Sequence, residues 1–120
     1  MDPFPEVWEL LSLFEAEPTL SDPELPLFYN AITFETKRGD DEIRCEIFPA
    51  SGNFEFVWTQ HGELRLHIVL RCVEGMSVFT GNGRDVLSLS FRDDHMEEIE
   101  IQLRPHVSCV WGKTHVLRHR

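Results

Sequence analysis

The sequence predicts a mainly β protein of the α+β class, in which an antiparallel sheet of about seven to eight short strands carries one N-terminal helix packed on it. Three observations predict this fold. Apolar and polar residues alternate with a period of two from residue 27 onward, tight-turn sequences separate the alternating runs, and only the first 17 residues place apolar positions at helical spacing. Period-two alternation is typical of strands with one buried and one wet face, and short strands joined by tight turns pair antiparallel.

The helix is predicted over residues 1–17. Its apolar positions recur at spacings of three and four and so share one face, namely Val7, Leu10, Leu11 and Phe14. Asp2 is the predicted N-cap, and Pro18 ends the helix because proline cannot continue it. Residues 18–26 hold three prolines and form a predicted extended acidic connector, since proline disfavours both helix and strand pairing.

Residues 27–118 form the predicted antiparallel β region, and the whole chain, 1–120, is predicted to be a single domain. A polar turn over 37–41 joins two alternating runs into a hairpin. The longest alternation predicts a strand with five inward side chains, which are Leu64, Leu66, Ile68, Leu70 and Cys72. A last strand is predicted at 115–117.

The formal net charge of −10 excludes some partners and favours others. Residues 1–60 carry 13 acidic and 3 basic side chains, whereas residues 61–120 carry 8 of each, so the first half holds the whole excess. Nucleic acids and anionic membranes would be repelled by such a chain, and neither is an expected direct partner. A basic protein would instead be attracted and steered toward it.

The same composition predicts a cytoplasmic location. The first six residues are acidic and proline-rich, unlike a secretory signal with its basic opening and apolar middle. No apolar run approaches the roughly 18 residues that a membrane helix needs.

No motif predicts catalysis, a metal or a cofactor. The Gly81-Asn82-Gly83 sequence precedes a strand and not a helix, so it predicts a hairpin turn and not a phosphate loop. Three cysteines, Cys45, Cys72 and Cys109, occupy apolar positions of alternating runs and are predicted to be buried thiols. The six histidines lack metal-ligand spacing, although a cation at Asp93-Asp94-His95 and an acid–base pair at Glu98 and Glu100 stay open as alternatives.

From Trp58 to about Leu117 the chain resembles the immunity proteins of bacterial polymorphic toxin systems. The similar features are a tryptophan followed by a turn, the alternating run over 64–70, and the series of strands that ends at 107–111. The resemblance covers about half of the chain. It implies a cognate toxin as the partner, neutralised by occlusion, and an acidic surface that matches the basic surface of a nuclease.

The predicted function is therefore that of a non-enzymatic bacterial immunity protein that binds a basic toxin domain stoichiometrically. The predicted partner-binding residues are outward carboxylates of the first hairpin and of a later strand: Glu35, Asp40, Asp41, Glu42, Glu46, Glu98 and Glu100. Two alternatives remain, an adaptor or structural β module of a larger assembly, and a small metal-dependent enzyme or ligand binder. The sequence leaves the oligomeric state and the activity of the partner open.

Overall fold

The computed structural model describes residues 1–92 and 97–112. Within those ranges the chain forms one helix, α1 (Val7–Phe14), and nine strands. The strands are β1 (Thr19–Leu20), β2 (Ile32–Arg38), β3 (Asp41–Phe48), β4 (Asn53–Gln60), β5 (Glu63–Leu70), β6 (Val73–Gly81), β7 (Arg84–Phe91), β8 (Ile99–Arg104) and β9 (Ser108–Trp111). The predicted α+β, mainly β and antiparallel fold class is confirmed. The strand predicted at 115–117 lies outside the described residues.

The strands divide into two antiparallel sheets, where the sequence suggested one. The first sheet has the order β1-β2-β3-β4-β5 and the second the order β6-β7-β8-β9. Within each sheet every strand pairs with its neighbour in sequence, so both sheets are meanders. The break comes after Leu70, where the chain turns and Val73 donates a backbone hydrogen bond to Gly52 instead of continuing beside β5.

The two sheets bury their inner faces in one shared core. The first sheet contributes Phe34, Cys45 and Phe56 among others, and the second contributes residues such as Leu87 and Ile101, all with at most 1% of their surface exposed. The helix adds Leu10, Leu13 and Phe14, and the Phe14 ring stacks on Phe34 with centroids 4.5 Å apart. Because both inner faces meet this core, the outer faces of the two sheets point away from each other.

The helix is shorter than predicted and begins at a different cap. Its N-cap is Glu6, whose backbone N–H donates to Glu9 Oε1 at 3.0 Å, and the chain leaves the helix at Glu15 with a left-handed φ of 54°. Asp2, the predicted cap, lies instead beside β6, where its N–H donates to the carbonyl oxygen of Glu74. The N–H of Met76 donates to the carbonyl oxygen of Pro3, so the N-terminal segment lies along this edge of the second sheet.

The connector pairs with the first sheet, contrary to the expectation that its prolines would prevent this. Thr19 and Leu20 lie opposite Thr33 and Ile32 of β2. Pro18 and Pro23 flank this two-residue strand without interrupting it. The following loop is organised by buried Asn30, whose Oδ1 accepts the backbone N–H of Asp22 at 2.7 Å and whose amide donates to the carbonyls of Leu25 and Pro26.

Two arginines join the C-terminal end of α1 to both sheets. Arg38, the last residue of β2, donates to the carbonyl oxygens of Leu13 and Leu103 at 3.2 and 3.0 Å, and its Nε lies 3.1 Å from Glu15 Oε1. Arg104, the last residue of β8, donates to the carbonyl oxygen of Ser12 at 2.9 Å and pairs with Glu15 and Asp85. These contacts satisfy helix carbonyls that have no partner within the helix.

Candidate protein-binding surface

The outer face of the first sheet forms a continuous surface of charged and apolar side chains. Cross-strand register places its members side by side, since outward residues of paired strands are neighbours. We define the first outer face as the outward side chains of β2 to β5: Thr33, Glu35, Lys37, Glu42, Arg44, Glu46, Glu55, Val57, Thr59, Leu64, His67 and Val69. Its four carboxylates outnumber its two cationic side chains, so the face is acidic with histidine neutral.

Arg44 lies at the centre of this face and is bracketed by carboxylates. Its guanidinium nitrogens lie 3.9 Å from Glu46 Oε2 and from Glu55 Oε1. His67 Nε2 lies 2.7 Å from Glu55 Oε2, and the Thr33 hydroxyl donates to Glu46 at 3.2 Å. The chain of contacts spans four strands and links the two carboxylates across the face.

A shallow groove of about 430 Å³ runs across the same face. Its lining comes from three strands and includes two carboxylates and two cationic side chains: Glu35, Thr36 and Lys37 of β2, Glu42, Ile43 and Arg44 of β3, and Val57 and Thr59 of β4. The groove is open to solvent along its length. It is suited to accept a side chain of another protein and does not enclose a small molecule.

An apolar row runs beside the carboxylates along β4 and β5. Leu64 is 61% exposed and Val69 is 52% exposed, on either side of His67 in β5, while Val57, opposite His67 on β4, is half-buried. Alternation predicted Leu64 as an inward residue, which is wrong. A β-bulge is the reason: Leu66 pairs with Trp58 and Leu64 with Thr59, so Arg65 has no opposite residue and Leu64 moves to the outer face.

The three acidic residues of the first hairpin, Asp40, Asp41 and Glu42, have different surroundings. Glu42 lies on the first outer face, opposite Lys37 and Thr59. Asp41 faces the other way, where its Oδ1 accepts hydrogen bonds from Trp58 Nε1 at 2.9 Å and Gln60 Nε2 at 3.0 Å. Asp40 is exposed in the turn, with His61 Nε2 at 3.5 Å from its carboxylate.

The remaining predicted acids lie on the other sheet. Glu100 belongs to β8 between Ser88 and Val110, and Glu98 lies two positions earlier, directly before the strand. The register places them on a second outer face with mostly small neighbours, consisting of Gly75, Ser77, Phe79, Val86, Ser88, Ser90, Glu98, Glu100, Gln102, Ser108 and Val110. The structure therefore brings Glu35, Glu42 and Glu46 together, leaves Asp40 and Asp41 at the hairpin end, and places Glu98 and Glu100 on the opposite side of the protein.

Several members of the first outer face were not identified from the sequence as site residues. Glu55 and His67 could have been found by pairing the outward positions of β3, β4 and β5, because Glu55 lies opposite Glu46 and His67 lies opposite Val57. Leu64 could not have been found in this way, because nothing in the alternation marks the bulge.

The thiols differ from the prediction that all three are buried. Cys45 is fully buried, and burial raises the pKa of its thiol far above the usual range. Cys109 is partly buried, which raises its thiol pKa in the same direction. Cys72 is exposed, because the chain has left the first sheet before this residue and the alternation no longer applies.

Within residues 1–92 and 97–112, no three histidine, cysteine, aspartate or glutamate side chains cluster as a metal site would require. The candidate cation site at 93–95 and the histidines at 115 and 119 lie outside the described residues. No helix in the described part of the chain is long and apolar enough to span a bilayer.

The protein therefore combines a mainly β fold of two sheets with an open, charged sheet face. No protein-family model matches the sequence, and no curated protein matches it either. Among solved structures, the fold is similar to one chain of a contact-dependent growth inhibition toxin–immunity protein complex from Klebsiella pneumoniae 342. The TM-score is 0.74 at 21% sequence identity, over 89% of this chain and 92% of that chain. The resemblance inferred from the sequence is confirmed as a likeness of fold.

Proposed function

We propose that this protein is an immunity protein, which neutralises a cognate bacterial toxin by direct stoichiometric binding in the cytoplasm. The observation that carries the proposal is the likeness of fold to one chain of a toxin–immunity complex, since it extends over almost the whole of both chains. In this function the protein binds and does not catalyse, and it contacts neither nucleic acid nor membrane directly.

The charge distribution supports a basic partner. The net charge of −10 attracts a cationic protein over long range and accelerates encounter, an effect that weakens as salt is added. A toxin that acts on nucleic acid carries a cationic substrate-binding surface, which an acidic protein can cover. Inhibition then follows from occlusion and requires no chemistry from the inhibitor.

Co-expression with an adjoining toxin gene tests the proposal. The gene neighbourhood is first searched for a toxin-like reading frame immediately upstream, and its product is induced in a bacterial host with and without the protein while growth is followed. We expect growth arrest without the protein, full growth with it, and a 1:1 complex by multi-angle light scattering. A toxin domain from an unrelated system serves as the control and should still arrest growth.

Purification of the protein also tests the two alternative functions, an adaptor module and a metal-dependent enzyme or ligand binder. Recovery of a multi-subunit assembly, in place of one small basic protein, would support an adaptor role and overturn the proposal. Stoichiometric zinc or iron in the purified protein would support a metal-dependent enzyme or ligand binder.

A further inference from the structure

We infer that the first outer face is the surface by which this protein docks its partner, and that the partner presents a basic surface around an apolar centre. The inference rests on the proposed function and adds to it which side of the protein binds. The carboxylates predicted from the sequence lie on opposite sides of the two-sheet fold, so a single toxin domain cannot cover both sets. The properties of the two outer faces distinguish them.

The exposure of Leu64 is the first argument. Burying a leucine is favourable, and the alternating pattern of β5 would bury this one. The bulge at Arg65 instead directs it to solvent, on the same face as Val57 and Val69. Bulges often re-aim side chains beside functional sites, and an exposed apolar row bordered by polar residues is typical of an interaction surface.

Charge complementarity is the second argument, and it identifies the occupant. Glu42, Glu46 and Glu55 lie next to the apolar residues on β3 and β4, and Glu35 lies one strand further away, beyond Arg44. Glu46 and Glu55 also contact Arg44, Thr33 and His67. Carboxylates beside an exposed apolar group match the composition of a protein interface, in which apolar contacts give affinity and charged contacts give register and rate.

The competing surfaces are weaker in the described part of the chain. The second sheet exposes two aromatic side chains, Phe79 at 53% and Trp111 at 56%, but they lie on β6 and β9, the edge strands at opposite sides of the sheet. Glycine and serine predominate between them, around Glu98 and Glu100. Trp8 and Tyr29 are exposed, but they lie on α1 and on the short helix 27–29, and neither belongs to a sheet face.

Two pairs of matched variants test the inference, with the toxin domain that the wild-type protein neutralises as the probe. Leu64→Ser removes an exposed leucine from the first outer face, whereas Leu25→Ser removes a 46% exposed leucine from the connector. We expect Leu64→Ser to weaken binding about tenfold, mainly through faster dissociation, and Leu25→Ser to change it less than about twofold.

The second pair compares equal changes of net charge. Glu42→Lys alters the first outer face and Glu100→Lys alters the second outer face. We expect Glu42→Lys to slow association at low salt about tenfold and Glu100→Lys to slow it less than about threefold. Thermal unfolding of each variant confirms that the fold is retained, and amide hydrogen exchange of the wild-type complex should show protection concentrated in β2 to β5.

The outcomes separate the two proposals. A wild-type protein that neither binds nor neutralises the adjoining toxin overturns the proposed function, and the docking surface with it. Binding with protection on β6 to β9, or with larger effects from Leu25→Ser and Glu100→Lys, overturns the docking surface alone. A wild-type dimer that Leu64→Ser converts to monomer identifies a second copy as the occupant and also overturns it.

Discussion

Adjacent aspartates of the first hairpin are predicted to have different effects on stability. Asp41 Oδ1 accepts hydrogen bonds from Trp58 Nε1 and Gln60 Nε2 at 2.9 and 3.0 Å, whereas Asp40 is exposed and approaches only His61, at 3.5 Å. Hydrogen bonds to charged groups contribute about 1.5–3 kcal/mol each when buried. Since Asp41 and Trp58 are only half-buried, we expect Asp41→Ala to lower the free energy of unfolding by about 2–3 kcal/mol in total.

The size of the chain converts this into a measurable shift. An unfolding entropy of about 2.1 cal/mol/K per residue gives roughly 0.25 kcal/mol/K for this chain, so Asp41→Ala should lower Tm by about 8–12 °C. Asp40→Ala should change Tm by no more than about 2 °C, because exposed ion pairs contribute little. Circular dichroism melts and urea unfolding followed by tryptophan fluorescence measure both.

Asp41→Asn separates hydrogen bonding from charge. The amide keeps an acceptor oxygen for Trp58, so its destabilisation should be clearly smaller than that of alanine. Association with the partner should not distinguish Asp40→Ala from Asp41→Ala, because each removes one negative charge from the same hairpin end. Equal Tm shifts for the two alanine variants, or an Asp41→Ala shift below about 2 °C, would refute the assignment of Asp41 to the Trp58 contact.

Three further predictions concern residues that stabilise the fold or are buried in it. Arg38→Met should lower the free energy of unfolding by about 2–4 kcal/mol, as measured by urea titration. Arg38→Lys should not recover the lost stability, because lysine cannot reproduce the forked contacts of Arg38 to two carbonyls and a carboxylate. Gly75→Ala should lower Tm and reduce the free energy of unfolding by about 1–3 kcal/mol, because the added methyl would lie 2.9 Å from the Pro3 ring. An unchanged Tm would contradict the packing of the N-terminal segment on β6. Iodoacetamide should label Cys72 in the native protein and Cys45 only after unfolding, as followed by mass spectrometry. The reason is that burial excludes the reagent from Cys45 and raises the pKa of its thiol. Fast labelling of Cys45 in the native protein would contradict its burial.

Local pattern predicted most of the first sheet, because its strands pair in sequence order and each has one buried face. Phe54 and Phe56 are buried as their alternation indicates, and the prediction that Glu35 and Glu46 share a surface follows from the same period. The alternating pattern fails in β5, where the bulge adds one residue. Arg65 shifts the register within β5, and since side chains alternate with a period of two, a single extra residue reverses the face on which Leu64 lies.

Properties that depend on distant parts of the chain could not be predicted in this way. Whether Glu100 lies beside Glu46 or on the opposite side depends on which sheet each strand joins, and alternation carries no information on sheet membership. The pairing of Thr19 with Thr33 was missed for a related reason: proline forbids pairing at its own position, but two residues between prolines can still form a short edge strand.

The junction between α1 and the two arginines has a consequence for how the protein matures during synthesis. Arg38 is 25 residues from Leu13, whereas Arg104 is 92 residues from Ser12. The helix is synthesised before either arginine, and its carboxyl end cannot be joined to Arg104 until a further 92 residues after Ser12 have been added. A nascent chain stopped before this arginine would expose the carbonyls of the helix end to solvent, and a chaperone or protease would meet the protein in that form.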